Sequence, residues 1–279
     1  MVTSKNIVIT GCSSGFGRLM VDRFAGLGWR VMATTRHPKQ LHPVAENVCV
    51  LNANVASVEG SDRVIDYVET NWSGKVDCLV NNAGYCLSGP LEMLAVEQIR
   101  QQMEVNFFAA VLLTRELLPG LRRAGGKIIN LSSVLGFTGM PLMSLYCASK
   151  FALEGWSESL YYELEPQGVQ VALVEPAGYR TGFAQHMEWP SQQAGEGLSY
   201  DAQLRGFESF RARLAQPQRG NPADEVVDKV VGLTRRQKMP LRNRVGGNSH
   251  ALYYLRRLLP QTLSDSLIGR ICNRLMQEK

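Results

Sequence analysis

Short apolar runs alternate with longer amphipathic stretches along most of the chain. The apolar runs have the length and the continuous hydrophobicity of strands in a parallel sheet that is covered on both faces. The predicted strands are Asn6–Thr10, Arg30–Thr35, Val48–Leu51, Cys78–Asn81, Lys127–Leu131 and Val169–Val174. Helical patterns lie between them, near residues 16–27, 59–71, 97–123 and 144–165. This alternation predicts right-handed crossovers and a doubly wound α/β fold with helices on both faces of the sheet.

Proline and glycine mark the ends of two of these helices. Pro119-Gly120 falls inside the 97–123 pattern and is predicted to kink or end that helix. Pro166-Gln167-Gly168 is predicted to stop the 144–165 helix. From about residue 181 to 219 the pattern loosens into sequence that contains Gly, Gln and Arg.

The last quarter of the chain carries further elements. Asn221-Pro222 has the form of an N-cap followed by proline at the first helical position, so a helix is predicted from there to about Thr234. Leu241–Val245 is predicted to be a last strand. The segment 251–276 is predicted to form one or two short helices, interrupted by Pro260.

Composition fits a large folded domain and excludes several classes of site. The 279 residues are 45% hydrophobic and 20% charged, with a net charge of +5, so the chain can bury a full core. No Cys/His cluster has the spacing of zinc ligands, so no metal site is predicted and the six cysteines are expected to be reduced thiols. Neither a signal peptide nor an apolar run of roughly 18–20 residues is present, which predicts a soluble, cytoplasmic protein.

The C-terminal tail is basic, because residues 221–279 hold eleven Lys and Arg but only five Asp and Glu. Contact of this tail with an anionic membrane surface stays open as an alternative. Pro260 and the lack of a sustained apolar face favour a solvated helical pair instead. The basic residues are not interleaved with stacking aromatic residues, so nucleic-acid binding is not expected.

A glycine-rich turn follows the first predicted strand. It runs from Thr10 to Gly17, with the sequence TGCSSGFG, and leads into an amphipathic helix. Gly11 permits the tight turn, Gly15 lets backbone N–H groups approach a pyrophosphate, and Gly17 lets the helix pack against the sheet. The positive end of the helix then faces the anion. The turn predicts a dinucleotide site with contacts from Gly11, Ser13, Ser14, Gly15, Phe16 and Gly17.

The end of the second strand predicts which nicotinamide binds. An NAD-selective site usually has an acidic residue there for the ribose 2′-hydroxyl, whereas this chain continues with Arg36-His37-Pro38. The planar fork of Arg36 suits a 2′-phosphate, with Arg18 as a possible second contact. We therefore expect NADP(H) to be preferred over NAD(H), the alternative being that Arg36 is only a solvated residue.

Tyr146 and Lys150 lie four residues apart and share one face of the 144–165 helix. Reduction of a carbonyl leaves charge on its oxygen, and a proton donor must neutralise that charge. A lysine ammonium about 5 Å from the phenol, at an effective dielectric near 20, would lower the tyrosine pKa by about 2 units from about 10. The pair is therefore predicted to perform acid/base chemistry near neutral pH.

The glycine spacing, Tyr146-x3-Lys150 and the upstream Ser133 and Asn106 together resemble the short-chain dehydrogenase/reductase family. The resemblance is strong over residues 1–182 and weaker over 183–279, and it is greatest to the branch of hydroxysteroid and retinol dehydrogenases. It implies a Rossmann-type sheet of about seven strands in the order 3-2-1-4-5-6-7. It also implies hydride transfer between a nicotinamide and a carbonyl or alcohol, with Asn106, Ser133, Tyr146 and Lys150 as the catalytic tetrad.

The resemblance assigns a role to each catalytic residue. Tyr146 exchanges the proton, and Lys150 binds the nicotinamide ribose while tuning that tyrosine. Ser133 polarises the substrate oxygen, and Asn106 holds a water that links Lys150 to solvent. The resemblance also implies further cofactor contacts, at Asn54, Val55, Asn82, Ala83, Gly84, Tyr146, Lys150, Pro176, Gly178 and Thr181. Asn54 stands where the family commonly has Asp, and Ala177 replaces the family's usual first glycine near Gly178.

The loops that border the predicted cleft are apolar and rich in methionine, which adapts to bulky shapes. The predicted substrate contacts are Tyr85, Leu135, Met140, Met143, Tyr179, Phe183 and Met187. This wall favours a hydrophobic ketone, aldehyde or alcohol over a small carboxylate, although ordinary core packing explains some of these residues equally well.

The chain is predicted to be one domain with three parts: a cofactor-binding and catalytic core (1–182), a substrate lid (183–220) and a C-terminal extension (221–279). The resemblance implies a homodimer or homotetramer that pairs the two long helices. Two alternatives remain: an NAD-dependent alcohol dehydrogenase of hydroxysteroid or retinol type, and a non-catalytic NADP(H)-binding sensor or scaffold. The intact Ser133, Tyr146 and Lys150 argue against the sensor.

Overall fold

A parallel sheet of seven strands forms the centre of the molecule. The computed structural model describes residues 4–41, 44–179, 181, 183–191, 200–216 and 222–276. The strands are β1 (Asn6–Ile9), β2 (Arg30–Thr35), β3 (Val48–Asn52), β4 (Cys78–Asn81), β5 (Lys127–Leu131), β6 (Gln170–Pro176) and β7 (Arg242–Val245). Their order across the sheet is β3-β2-β1-β4-β5-β6-β7, and every pairing is parallel. The predicted fold class, strand number and strand order are confirmed.

Helices cover both faces of this sheet. In the described ranges they are α1 (Gly15–Gly26), α2 (Val58–Trp72), α3 (Val96–Met103), α4 (Ala109–Ala124), α5 (Ser144–Leu164), α6 (Asp201–Ala215), α7 (Asp224–Arg235), α8 (Gly247–Leu258) and α9 (Gln261–Leu275). No helix among the described residues is both long enough and apolar enough to cross a bilayer.

The predicted single helix over 97–123 is instead two helices joined by one wide turn. A π-helical turn, Glu104–Phe108, separates α3 from α4. Pro119-Gly120 was predicted to kink or end the helix; it does not end it, because α4 continues through both residues to Ala124, and the kink stays a prediction. Proline removes only one N–H donor, and both Pro119 and Arg115, whose carbonyl loses that donor, are exposed to solvent.

The start of α7 also differs from the prediction. Asn221 lies outside the described residues, and Pro222 is not the first helical residue, because α7 begins at Asp224 with Ala223 as its N-cap. Asp224 and Glu225 occupy the first turn of the helix. Acidic side chains are favourable there because the helix dipole is positive at that end.

Two apolar layers fix the sheet between its helices. Alternate residues of β1 point to opposite faces, so that Ile7 and Ile9 join one layer and Val8 joins the other. The first layer packs the sheet against α1 and α7, and the second packs it against α2, α4 and α5. Because both faces are buried, the loops at the carboxyl ends of the strands are left to form a site.

Candidate active site

The carboxyl ends of the parallel strands lie at one edge of the sheet, and most of the predicted site residues follow them. The glycine turn comes after β1, Arg36 after β2 and Asn54 after β3. The loops after β4, β5 and β6 bring Asn82–Tyr85, Ser133 and Pro176–Thr181 to the same edge. The chain order reverses between β1 and β4, and at such a switch point an α/β sheet opens a crevice.

The glycine turn is packed too closely to accept larger residues. Gly11 has φ +71°, and a Cβ there would lie 2.7 Å from the Cα of Ala83. A Cβ on Gly17 would lie 2.2 Å from the carbonyl oxygen of Gly11, so only glycine lets α1 approach the turn. Ser14 is the extended N-cap of α1, and its side chain makes no capping hydrogen bond. Backbone N–H groups at this helix end therefore remain suited to an anion.

The loop after β6 closes over the glycine turn from the other side. A Cβ on Gly15 would lie 3.3 Å from both the Cβ and the carbonyl oxygen of Thr181. The Thr181 hydroxyl accepts a hydrogen bond from the N–H of Phe183 (3.3 Å). Phe16 packs edge-on against Tyr179, with the ring centroids 5.9 Å apart. The structure thus brings Thr181 to the glycine turn, and its contact to the nicotinamide stays a prediction.

Thr10 joins the two central loops, and the sequence reasoning did not include it among the site residues. Its hydroxyl accepts hydrogen bonds from the N–H groups of Asn82 and Ala83, both at 3.0 Å. In return, the Asn82 amide donates to the carbonyls of Thr10 (2.8 Å) and Gly11 (3.0 Å). These contacts fix the Asn-Ala-Gly loop against the glycine turn. The signal that could have identified Thr10 is its place directly before the first glycine of the motif.

The predicted 2′-phosphate contacts differ in their surroundings. Arg36 is exposed at the end of β2. Arg18 instead donates to the carbonyl of Leu41 and to the carboxylate of Asp22 (3.2 Å). Asn54 is exposed, and its side-chain oxygen accepts a hydrogen bond from the N–H of Ala56 (3.3 Å). Arg36 is therefore the better placed cation of the two, and the adenine contact of Asn54 stays a prediction, as does that of the buried Val55 beside it.

Asn106 lies at the centre of a buried hydrogen-bond network in the π-turn between α3 and α4. Its side-chain oxygen accepts from the N–H of Tyr85 (3.0 Å), and its amide donates to the Tyr85 carbonyl (2.9 Å). The same amide donates to the hydroxyl of Ser149 (3.0 Å), which donates to the carbonyl of Tyr146 (2.7 Å). Asn106 therefore connects the loop after β4 to the start of α5, and Ser149 is a second residue that the sequence reasoning missed.

Lys150 and Tyr146 meet on the buried face of α5. The Lys150 Nζ lies 5.8 Å from the centroid of the Tyr146 ring and donates to the carbonyl of Leu131 (2.7 Å). A Cβ on Gly84 would lie 3.8 Å from the same Nζ and 3.1 Å from the Asn106 side-chain oxygen. Lys150, Gly84 and Asn106 are therefore neighbours, and the roles that the resemblance implies for them stay predictions.

Ser133 begins the loop after β5 in an extended conformation. Its hydroxyl accepts a hydrogen bond from the N–H of Leu135 (3.1 Å), and the short 3-10 helix Val134–Gly136 follows. The hydroxyl also faces Tyr146, since a hydrogen bond from Ser133 lowers the pKa of that phenol. Ser133 and Tyr146 are therefore neighbours at this edge of the sheet, and their roles toward a substrate oxygen stay predictions.

Burial controls the protonation of both catalytic groups. It raises the pKa of the Tyr146 phenol above its ordinary value, and the nearby Cys86 raises it further. The sequence-based expectation of a tyrosine pKa lowered by Lys150 is therefore not met in the protein alone. Burial also lowers the pKa of Lys150 to about 8, against the opposing effect of Glu154. Desolvation outweighs the attraction between lysine and phenolate because both groups are removed from water.

An apolar cluster covers the phenol of Tyr146. Five of the seven predicted substrate contacts belong to it: Leu135, Met140, Met143, Phe183 and Met187. The Phe183 ring lies 5.6 Å from the ring of Tyr146. The C-terminal half of the chain adds Phe207 and Phe210 from α6 and Met276 after α9, which the sequence reasoning did not assign. The cluster forms an apolar wall beside the reacting group.

The other two predicted substrate contacts lie outside this cluster. Tyr179 packs against Phe16 and donates from its hydroxyl to Glu225 (2.9 Å), which places it on the glycine-turn side. Tyr85 has its backbone held by Asn106, and its hydroxyl is buried without a hydrogen-bond partner among the described residues. The hydroxyl of Tyr85 is therefore the better candidate for a polar substrate contact.

The strand that leads to Pro176 and Gly178 is longer than predicted. The strand β6 extends two residues beyond Val174 and ends with Pro176, which pairs with Val245 of β7. Gly178 is exposed just beyond the strand. Both residues therefore lie at the carboxyl end of β6, at the same edge of the sheet as Ser133, which follows the neighbouring β5.

Comparison with known proteins agrees with this geometry. Residues 5–191 match the model of the short chain dehydrogenase family. The chain is similar to 3-ketodihydrosphingosine reductase of Bacteroides thetaiotaomicron, with 36% identity over 244 residues that cover 86% of this chain and 87% of that protein. A solved short-chain dehydrogenase from Streptomyces avermitilis has a TM-score of 0.79 at 28% identity, covering 97% of this chain and 96% of that chain. A short chain dehydrogenase from Burkholderia cenocepacia in complex with NADP has the same fold, with a TM-score of 0.76 at 24% identity, covering 95% and 97%.

Proposed function

The chain belongs to the short-chain dehydrogenase/reductase family, and from this premise we propose that it interconverts a hydrophobic carbonyl compound and its alcohol with NADP(H). Members of this family are oxidoreductases that act on CH–OH groups with NAD or NADP. The observation that carries the proposal is the convergence of Tyr146, Lys150, Ser133 and Asn106 beside an apolar wall at the edge of the sheet. One ketone or aldehyde, one NADPH and one proton give the alcohol and NADP⁺.

The residues present fit a dinucleotide. The turn around Gly11 and Gly17 leaves no space for side chains, and the N-terminus of α1 points backbone N–H groups at the position of the pyrophosphate. Arg36, exposed where NAD-selective proteins carry an acid, supports NADP(H) because a guanidinium binds a 2′-phosphate through two parallel hydrogen bonds. Lys150 and Thr181 would hold the nicotinamide end.

Tyr146 is the group proposed to exchange the proton. A nicotinamide held by Lys150 and Thr181 would supply or accept the hydride, and the positive charge of its oxidised form would favour the phenolate. The Ser133 hydroxyl is proposed to donate a hydrogen bond to the substrate oxygen and so to orient it. The Lys150 ammonium stabilises the phenolate in turn. The burial that raises the pKa of Tyr146 also keeps water from competing for the reacting oxygen.

The proposed substrate class follows from the wall around Tyr146. Leu135, Met143, Phe183 and Met187 belong to the same apolar cluster as Tyr146, so an extended hydrocarbon next to the carbonyl would be buried favourably. The similarity to a 3-ketodihydrosphingosine reductase supports a long-chain ketone as the first compound to test. The segment 183–220 is proposed to act as a lid over this wall.

Replacement of Tyr146 by phenylalanine tests the proposal. We expect NADPH oxidation, followed by absorbance with a panel of hydrophobic ketones including 3-ketodihydrosphingosine, to fall at least 10³-fold in Y146F, in line with loss of a general acid. NADPH binding, measured by fluorescence, should persist. If the wild-type protein binds NADPH but turns over no compound of the panel, the result favours the non-catalytic sensor over the enzyme. If Y146F retains more than a tenth of the activity, the assigned role of Tyr146 is wrong.

A homodimer or homotetramer is also proposed, as is a cytoplasmic location. Phe108, Leu112 and Phe151 are exposed hydrophobic residues on the two long helical segments, and such residues gain from pairing with a second copy. All six cysteines are free thiols, which agrees with a reducing compartment. A molar mass of one chain in light scattering at every concentration would contradict the oligomer.

A further inference from the structure

A buried cluster of charged side chains lies beside the catalytic helix face and is not used in the proposed reaction. Glu154 of α5 and Glu175 of β6 are 6% and 0% exposed, and we name these two residues the acidic pair. Two arginines of β7, Arg242 and Arg244, lie between the pair and solvent. The cluster ends at Ser132, the residue before the predicted substrate-orienting Ser133.

The charges in this cluster meet as ion pairs with few hydrogen bonds. The Nε of Arg242 lies 3.4 Å from Glu154 and 3.8 Å from Glu175, and the Nε of Arg244 lies 3.4 Å from Glu175. Both carboxylate oxygens of Glu175, and Oε1 of Glu154, are buried without a hydrogen-bond partner among the described residues. Apolar side chains of similar size usually stabilise a core at least as well as such a group, so stability is a poor explanation for the cluster.

Glu154 of the acidic pair lies close to two of the residues proposed for catalysis, Lys150 and Ser133. Glu154 is four residues after Lys150 on α5, so the two side chains share one helix face, and both are buried. A Cβ on Gly136 would lie 2.7 Å from the Ser132 hydroxyl and 3.3 Å from Oε1 of Glu154. Glu154 therefore lies beside the base of the loop that carries Ser133.

The second arginine fixes the cluster to the C-terminal part of the chain. The Arg244 guanidinium lies 3.2 Å from the ring centroid of Tyr253 on α8, and this ring packs edge-on against Phe137 at 5.9 Å. The position of Glu175, and through it that of Glu154, therefore depends on β7 and α8.

We propose that Glu154 is a positioning residue that holds Lys150 in its ammonium form during turnover, and that Arg242 and Arg244 keep the Glu154 carboxylate in place. The proposal rests on the function proposed above. The electrostatic influences agree with it: burial lowers the pKa of Lys150 to about 8, and Glu154 is the largest opposing influence. Without that carboxylate, the lysine would lose its proton near neutral pH.

The groups that face Lys150 and Glu154 come from several elements. Those facing Lys150 are Tyr146 and Glu154 of α5 and Cys86 of the loop after β4, and those facing Glu154 are Lys150, Ser132, Glu175, Arg242 and Arg244. Burial raises the pKa of Glu154, and the two arginines lower it. The Cys86 thiol has its pKa raised to about 12 by burial, so it is neutral in the range where Lys150 titrates. The remaining anion facing Lys150 is Glu154.

The test compares E154Q with the matched control E158Q. Glu158 lies one turn further along α5, pairs with the same Arg242 at 2.9 Å and has a 42% exposed side chain. It is not among the groups that shift the pKa of Lys150. For both variants and the wild type, kcat/KM for ketone reduction and the NADPH dissociation constant are measured from pH 6 to 10. The NADPH dissociation constant is measured without turnover, and it still depends on the charge of Lys150, which is proposed to bind the nicotinamide ribose.

We expect the alkaline limb of both profiles to move down by about one pH unit in E154Q and to stay within 0.2 units in E158Q. Equal movement in both variants, or none in E154Q, overturns the proposal. If E154Q does not fold, E154D replaces it; a smaller downward movement is expected, and an unmoved limb overturns the proposal. If no variant turns over ketones while NADPH binding still separates E154Q from E158Q, the proposed function fails and the inference about Glu154 stands.

Discussion

Thr10 supplies the sharpest structural prediction, because one hydroxyl holds two loops of the site together. We consider the change of Thr10 to valine, which keeps the shape of the side chain and removes its oxygen. The two N–H groups at residues 82 and 83 then lose their acceptor. Each lost hydrogen bond costs about 1 kcal/mol net, and more where the group cannot reach water. Because these N–H groups are partly buried, we expect a total loss of about 2 kcal/mol.

The same change should weaken cofactor binding. Ala83 lies against Gly11 across the crevice, so a displaced loop would shift the floor under the dinucleotide. The free energy of unfolding is measured by urea denaturation followed by circular dichroism, and NADPH binding is measured by fluorescence titration. A loss of about 2 kcal/mol corresponds to a fall in Tm of about 4–8 °C for a domain of this size.

Serine at the same position is the control, because T10S keeps the hydroxyl and loses only a methyl group. We expect T10S to lie within about 1 kcal/mol of the wild type and to bind NADPH normally. Equal destabilisation of T10V and T10S would show that packing of the methyl group matters, and not the two hydrogen bonds. An unfolding free energy for T10V within 0.5 kcal/mol of the wild type would refute the reasoning altogether.

Three further changes test other parts of the structure. R36D should lower the ratio of kcat/KM for NADPH to that for NADH by about 10- to 100-fold, since a charge-assisted contact is worth about 1.5–3 kcal/mol; an unchanged ratio would remove Arg36 from the phosphate site. G17A should destabilise the fold by more than about 2 kcal/mol, because its Cβ would lie 2.2 Å from a carbonyl oxygen. G155A, with open space around it on α5, should instead stabilise the fold by about 0.5–1 kcal/mol. Similar changes in the free energy of unfolding for the two variants would contradict the close packing described at Gly17. Burial raises the pKa of Glu175 from 4.5 to about 7, so ionisation of Glu175 destabilises the folded state as the pH rises through that window. The Tm of E175Q minus the Tm of the wild type should therefore grow between pH 5 and pH 8. A constant difference would exclude this linkage.

Local pattern determined the parallel sheet and the chemical character of the site. Continuous apolar runs such as Ile7–Ile9 can only be satisfied by a sheet covered on both faces, and short strands alternating with helices admit few topologies. The residue types of the glycine turn and of the Tyr146–Lys150 pair depend on backbone sterics and helix periodicity, which act over a few residues. These features were accordingly predictable without coordinates.

Contacts between distant segments determined what the sequence reasoning missed or predicted differently. Pro119 stays within α4, where both it and Arg115, the residue whose carbonyl it leaves unpaired, are exposed to solvent, and exposure is a property of the folded chain. Phe207 and Met276 join the wall over Tyr146 although more than fifty residues separate them from it. The pKa of Tyr146 rises because the surrounding helices exclude water, whereas the sequence argument had counted only the neighbouring lysine. Desolvation depends on everything packed around a group, so only the tertiary structure could decide its sign.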